Sequence, residues 1–264
     1  MPIMKQRGWN KAMYLNTKGL VLRVTPYNDT DALLSLLTPN YGKITVKARG
    51  LRRKNSPLTA PCQLLGYGDY VLFEYRGMYT INEAHSVELF SALRKDLQKL
   101  SLGTYFAQAA EMISQEDLPN PELLSLVLNC LYGLSKLDIQ EAKVKAVFEL
   151  RSACLAGYSP DLLGCYRCGC DVPDRFDLSE GRLECTRCRN PESGGLRMPI
   201  TPGMLDAMRY ICSCDSRKLF SFIASTETLE ELSHLSESYL STQLERGFSA
   251  LDFYKSLLMP MSAF

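Results

Sequence analysis

Five cysteines fall between Cys165 and Cys188, in the stretch CYRCGCDVPDRFDLSEGRLECTRC. Cys165 and Cys168 are separated by two residues, as are Cys185 and Cys188, and sixteen residues lie between the pairs. This spacing suits a four-thiolate zinc site. Each C-x2-C turn aims two sulfurs at one point, and a connection of this length lets two turns complete a tetrahedron. Gly169, directly after Cys168, can take the positive φ that helps backbone amides bend round to the sulfurs. Cys170 is read as a bystander, because C-x-C is a poor bite for a shared ion. Four thiolates fill the coordination shell and leave no position for water or substrate, so the expected metal is structural and its binding contributes folding free energy. Cys212 and Cys214 lie on a helical pattern and read as packing residues or bystanders.

A second pattern with chemical meaning is KITVKARGLRRKNSPL, from Lys43 to Leu58. Ile44, Val46 and Ala48 point to one side of a strand, and Lys43, Thr45, Lys47 and Arg49 to the other. Gly50 opens a loop that adds Arg52, Arg53 and Lys54, so six cations occupy twelve positions without an acid. The competing reading is a solvated strand face. Sign and geometry favour a phosphate backbone, and Tyr41, Tyr67, Tyr70, Tyr75 and Tyr79 supply rings that could stack on bases. The whole-chain net charge of +1 conceals the segregation: residues 1–80 carry 12 Lys and Arg against 4 Asp and Glu, and the remainder carries 18 against 25. An anionic partner is therefore expected at the N-terminal third.

Catalytic chemistry has no comparable signature. The two histidines, His85 and His234, belong to no H-E-x-x-H or metal pair. No phosphate-binding G-x-x-x-x-G-K-[ST] and no G-x-S-x-G occurs, and GYG at 66–68 reads as a turn. No catalytic residues are expected. The leading residues carry charges throughout and lack a signal-like apolar core, and no later run approaches a membrane span. C-x2-C pairs in a reducing cytoplasm are metal ligands rather than disulfides.

These residues need elements to hold them. From Lys18 to His85 the apolar period is two, and five strands are expected at Gly19–Val24, Asp31–Leu37, Lys43–Arg49, Asp69–Tyr75 and Met78–Ala84. Five short strands match a small barrel, of the OB-fold or SH3-like kind, which strand count does not separate. Beyond Ser86 the period is helical. One helix is expected through Leu89, Leu93, Leu97, Leu100, Phe106, Ala110 and Ile113, and a second is capped by Asn120 with Pro121 at its first position. A third runs from an Asp138–Glu141 capping box to Gly157, another opens at Thr201-Pro202, and a long last one carries Leu240 to Leu258. PESGG at 191–195 reads as a loop.

The stretch from Tyr27 to Pro61 resembles the N-terminal region of the bacterial RecO recombination mediators, through Thr38, Gly42-Lys43-Ile44, Ala48-Arg49-Gly50 and Ser56-Pro57. The order of this element and the cysteine insert extends the resemblance over most of the chain. It implies an α+β multidomain protein: a five-stranded antiparallel OB-fold barrel with an N-terminal extension at 1–85, a mostly helical domain at 86–160 and 200–264, and a four-cysteine zinc-binding insert at 161–199. It also implies a cytoplasmic, nucleoid-associated non-enzyme in DNA repair. Such a protein binds single- and double-stranded DNA, anneals strands, and with RecR helps load RecA onto DNA coated by single-strand binding protein, whose C-terminal tail it docks. Lys43, Lys47, Arg49, Arg52, Arg53 and Lys54 would be the DNA contacts, and Cys165, Cys168, Cys185 and Cys188 the ligands of a structural Zn2+. The alternatives are a nucleic-acid enzyme, of nuclease or ligase type, that positions substrate with the barrel and zinc element, and a scaffold that meets proteins through its acidic half.

Overall fold

The computed structural model describes residues 13–137, 139–188 and 195–259. Two compact units divide the chain, one running to Leu89 and including Ser114–Leu124, the other comprising Phe90–Ile113 and the residues from Ser125 onward.

In the first unit, alternation builds five strands: β1 (Met13–Pro26), β2 (Ala32–Thr38), β3 (Gly42–Ala48), β4 (Tyr67–Tyr75) and β5 (Met78–Glu88). Their order is β1-β2-β3-β5-β4, and β4 pairs back onto β1, so every strand has a neighbour on both sides. The expectation of purely antiparallel pairing needs a correction: β3 and β5 run parallel, at Val46–Tyr79 and Lys47–Thr80. The long connection from β3 to β4 reverses the direction available to β5, which the two-residue Arg76-Gly77 turn then returns along β4, with φ of 53° and 78°. Inward residues Leu15, Val21, Leu34, Leu36, Ile44, Val46, Tyr70, Leu72 and Ile81 form the core. Strand β1 is longer than expected at both ends. Its leading half, MYLNTK, presents one apolar residue to the core, too little to read as a strand by period alone.

The turn between β2 and β3 is specified atom by atom. Thr38 Oγ1 donates to the Gly42 carbonyl (2.9 Å) and accepts from the Tyr41 amide (3.1 Å). Gly42 has a φ of 65°, and a Cβ there would collide with the backbone of Leu118. That backbone belongs to a returning segment, in which the amide of Asp117 donates to Lys43 O (3.2 Å) and Gln115 O accepts from Lys43 N (3.4 Å). Residues 114–124, expected with the helices, thus belong with the strands.

The second unit is mainly helical: α1 (Leu97–Ile113), α2 (Pro121–Lys136), α3 (Glu141–Leu155), α4 (Pro202–Ser213), α5 (Thr226–Leu244) and α6 (Ser249–Leu258). Several ends follow their expected caps. Asn120 Oδ1 accepts from Leu123 N (3.0 Å), and Thr201 from Met204 N (3.3 Å). Gly157, with φ of 94°, ends α3 as Tyr158 N reaches back to Ala153 O (2.8 Å).

Three expectations change. The helix expected from Leu89 starts at Leu97, where Asp96 caps the amides of Gln98 and Lys99 (3.0 and 3.1 Å). Helix α3 starts at Glu141 behind Gln140, which makes no side-chain cap, and Asp138 lies outside the described residues. The long last helix is two, because Glu245 takes a left-handed φ of 51° ahead of Gly247.

Between α3 and α4, strands β6 (Asp161–Cys165), β7 (Arg175–Asp177), β8 (Arg182–Glu184) and β9 (Arg197–Pro199) form a sheet in the order β6-β8-β7-β9. Three-residue strands are too short to show a period. Most of the expected PESGG loop lies outside the described residues. Among the described residues no helix is long and apolar enough to cross a membrane.

The helical core stacks Phe106 on Phe148, with ring centroids 4.2 Å apart, around a buried polar knot. Lys145 Nζ meets carboxylates of Glu149 (3.0 Å) and Glu237 (2.9 Å) and the Ser233 carbonyl (3.0 Å). Glu149 also accepts from Tyr105 (2.9 Å) and Ser236 (2.6 Å). Burial raises the Glu149 carboxyl above the usual range, while Lys145 works in the opposite direction. Removing Lys145 leaves the fully buried Glu149 without its counter-charge. Lys145→Met is therefore expected to lower stability by about 3–5 kcal/mol in denaturant unfolding, and a loss under ~1 kcal/mol would show that the knot carries no net constraint.

Candidate nucleic-acid interface and candidate metal centre

Strand β3 separates its two sets of side chains as its alternation requires. Ile44, Val46 and Ala48 are buried, Thr45 and Arg49 are exposed, and Lys43 and Lys47 are half-buried on the outer face. Beyond it, Gly50 turns with φ of 67° and the exposed Arg52, Arg53 and Lys54 follow.

These cations are not equivalent, and the difference comes from the β1–β2 loop. Asn28 starts an Asx turn, its Oδ1 accepting from the amides of Thr30 (2.9 Å) and Asp31 (2.7 Å). Asp31 is thereby aimed at β3. Its carboxylate accepts from Gly50 N (2.9 Å) and Asn28 Nδ2 (3.1 Å) and pairs with Lys47 Nζ at 3.1 Å. The Gly50 amide first, and Lys47 second, hold the Asp31 carboxyl well below the usual carboxylate range. Arg52 completes the brace by donating its backbone amide to Thr30 O (2.9 Å) and Nη1 to Asn28 O (2.6 Å).

Lys47 and Arg52, both expected to meet an anionic partner, are thus engaged within the protein. Arg49, Arg53 and Lys54 project from the same end of the strand. The sequence reading starts a strand at Asp31 but assigns that residue no role, and the Asx turn at Asn28 is not read, although N-D-T in a turn after Pro26-Tyr27 is a legible signal.

The proposed aromatics also divide. Tyr70 is 1% exposed and donates to Pro61 O (2.6 Å), so it is a core residue and not a stacking ring. Tyr41 and Tyr79 pack against the same core, Tyr67 is half-buried, and Tyr75 is exposed. Tyr27, which the sequence reading passed over, is 58% exposed with Lys47 Nζ 4.6 Å from its ring centre.

The cysteine segment lies in the second unit. The sulfurs of Cys165, Cys168, Cys170 and Cys185 all fall within 4.8 Å of one another. The expectation that Cys170 stands apart is corrected: Gly169, with φ of 70°, turns the chain so that Cys170 comes back to the cluster, and its carbonyl accepts from Cys165 N (3.0 Å). Cys188, expected as the fourth ligand, falls outside that mutually close set, yet its thiol meets those of Cys168, Cys185 and Cys165.

Both C-x2-C turns direct backbone amides at sulfur. Burial opposes ionisation of Cys185, but the Cys188 amide and neighbouring thiols prevail and bring it down to about 6. Cys165 is likewise held below the ordinary thiol value, by the amides of Cys168, Arg167 and Cys185 against the opposing effect of burial. Thiolate-stabilising amides and converging sulfurs are what a soft divalent ion requires, so the cluster could hold a metal.

Comparison with known proteins adds family information. A family model described as Recombination protein O N terminal matches residues 13–90, and one described as Recombination protein O C terminal matches residues 94–252. The chain is 35% identical over 246 residues to a DNA repair protein RecO of Acetivibrio thermocellus, covering 92% of this chain and 97% of that one. It is 30% identical over 248 residues to a DNA repair protein RecO of Alkaliphilus metalliredigens, covering 93% and 100%. A Symbiobacterium thermophilum protein of the same description is 28% identical over 251 residues, covering 93% and 98%.

The Asp31–Lys47 pair has a measurable consequence. In Asp31→Asn the carboxamide oxygen can still accept from Gly50, while Lys47 loses its counter-charge. The slope of log affinity for single-stranded DNA against log salt should steepen by about 0.7, one additional phosphate. An unchanged slope in the folded variant would mean that Lys47 faces no phosphate.

Proposed function

The chain belongs to the RecO family of DNA repair proteins, and from that premise we propose that it is a non-enzymatic recombination mediator. It binds single- and double-stranded DNA, pairs complementary strands, and acts with RecR in loading RecA onto DNA coated by single-strand binding protein. The observation that carries this reading is the outward cation row of β3, continued by Arg49, Arg53 and Lys54. Pairing two polyanions demands neutralisation of phosphate charge and no covalent step. In support, the strand order β1-β2-β3-β5-β4, with a parallel β3–β5 contact, is the Greek-key arrangement of an OB-fold. In that fold strands two and three and the adjoining loops receive oligonucleotides.

We assign Lys43, Lys47, Arg49, Arg52, Arg53 and Lys54 to the interface in two roles. Lys43, Arg49, Arg53 and Lys54 meet phosphate. Lys47 and Arg52 shape the loop through Asp31 and Asn28. The domain division of barrel, helical domain and zinc insert follows the same reading, as does a place in the cytoplasm beside the nucleoid. Tail docking of single-strand binding protein belongs to the helical domain.

For the cysteine segment we assign a structural Zn2+ to Cys165, Cys168, Cys185 and Cys188. The paired C-x2-C spacing supports this set, and the amides directed at the sulfurs of Cys165 and Cys185 support metal binding by either this set or one with Cys170 in place of Cys188. Bound there, the ion supplies cross-linking of the two turns and no Lewis-acid step, because thiolates complete its shell.

With four cations on phosphate, single-stranded DNA affinity should fall with salt at a log–log slope of about −3, and Arg53→Ala/Lys54→Ala should make it about 1.4 less steep. A salt-independent titration would reject the interface. Covalently cut or joined labelled DNA in the presence of Mg2+ would instead support the nuclease or ligase alternative.

Metal analysis after gel filtration tests the second site. Cys185→Ser and Cys188→Ser should lose the ion and Cys170→Ser retain it, whereas retention by Cys188→Ser with loss by Cys170→Ser exchanges their roles.

A further inference from the structure

Outside the metal cluster the cysteines divide by their surroundings. Cys62 and Cys130 are buried, and burial pushes the Cys62 thiol up to about 12 and raises that of Cys130 as well. Thiols so placed are inert. Cys154, Cys212 and Cys214 are only half-buried, at the ends of α3 and α4. Arg151, one turn before Cys154, reaches across with Nη1 to the carbonyls of Cys212 (3.0 Å) and Ile211 (3.4 Å). That crossing sets the two helix ends side by side, and the Cys154 and Cys212 thiols are in hydrogen-bond contact. Cys214 turns its thiol to Ile211 O instead (3.7 Å). The paired sulfurs differ in kind. The Cys212 thiol above all, then Ser159 and the Arg151 charge, bring Cys154 down to about 7 against the opposing effect of burial. Cys212, whose proton serves that bond, is pushed far above the ordinary thiol value, first by Cys154 and then by burial.

We propose that Cys154 is an oxidant-sensitive thiol and Cys212 its resolving partner, the two forming a reversible disulfide that fastens the end of α3 to the end of α4. The co-reactant is a hydroperoxide, hydrogen peroxide being the simplest. The Cys154 thiolate attacks one peroxide oxygen, and the O–O bond breaks. Cys154 becomes a sulfenic acid, and the hydroxide released takes a proton to leave as water. Cys212 sulfur then attacks the sulfenyl sulfur. The S–S bond forms as the S–O bond breaks, and the second hydroxide leaves as water with the Cys212 proton. In sum two thiols and one peroxide give a disulfide and two waters, with two electrons passing from sulfur to the peroxide oxygens. Attack by an external thiolate reverses the bridge. The position of the pair gives it a purpose. Strands β6 to β9, with the whole cysteine segment, lie between α3 and α4 in the chain. A tie between Cys154 and Cys212 closes the chain around that segment and holds its two ends together under the same oxidants that attack its own sulfurs.

The experiment treats the full chain, reduced and then freed of reductant, with a small molar excess of hydrogen peroxide at neutral pH. Remaining thiols are blocked with iodoacetamide, and the chain is mapped by mass spectrometry without reduction. Trypsin leaves Cys154 on a peptide with Cys165 and Cys212 on one with Cys214, so fragment ions assign the linked pair. The expected product joins Cys154 to Cys212 within one chain and disappears on adding dithiothreitol. Cys154→Ser and Cys212→Ser should each lose it and Cys214→Ser retain it. In Cys212→Ser, where the hydroxyl can still donate to Cys154, dimedone should trap a sulfenic acid at Cys154, whereas Cys154→Ser should give no adduct at Cys212. Without oxidant, limiting iodoacetamide should alkylate Cys154 about tenfold or more faster than Cys212, following thiolate fraction. A link from Cys154 to Cys214, or one between two chains, overturns the pairing. Oxidation confined to the cysteines from Cys165 to Cys188 overturns the site, as do equal alkylation rates at Cys154 and Cys212. The map and the alkylation rates come from the parent chain, so a variant that fails to fold leaves both tests intact.

Discussion

One carboxylate organises the cationic end of the strand unit. Asp31 ties together the Asn28 turn, the Gly50 amide and the Lys47 ammonium, and Arg52 reaches back onto the loop thus formed. Six positive charges in twelve positions repel one another, so a loop built from them would be open and poorly ordered if left alone. The single anion spends part of that charge on holding the rest in place. Because its ionised form is favoured by folding, its contribution is present above the usual carboxylate pKa and is lost as pH falls through the lower folded value. Asp31 is therefore ionised, and able to hold Lys47 and the Gly50 amide, throughout the neutral range.

The two units solve the problem of a small core by different means. The strand unit closes its ladder, giving every strand two neighbours and leaving no edge to aggregate. The cysteine segment has strands of three to five residues and little to bury. A metal held by its converging sulfurs would serve it in place of an interior, beside Phe176 and Leu183, among its few fully buried apolar side chains.

Much of this was legible in the sequence because the relevant signals are local. Alternation located all five long strands, and Asn120 and Thr201 marked helix starts through a hydrogen bond made within one turn. What escaped depends on partners remote in sequence or on a single backbone angle. Asp31 reads as the first residue of a strand, with no partner apparent until β3 is beside it. Tyr70 and Tyr75 have the same residue type and β4 context, and only the interior position of the first separates a core ring from an exposed one. The break between α5 and α6 is a left-handed Glu245, for which Gly247 was a faint hint. Cys170 fails the spacing rule for a shared ion, yet Gly169 bends it into the cluster.

The return of residues 114–124 to the start of β3 makes the strand unit discontinuous along the chain. A ribosome that has released only the first ninety or so residues has exported all five strands but not the backbone that Gly42 is shaped to receive. The unit can finish assembling only after α1 has emerged, so its maturation waits on a segment encoded inside its helical neighbour. A gene fragment cut neatly after β5 would deliver the strands with that seam open.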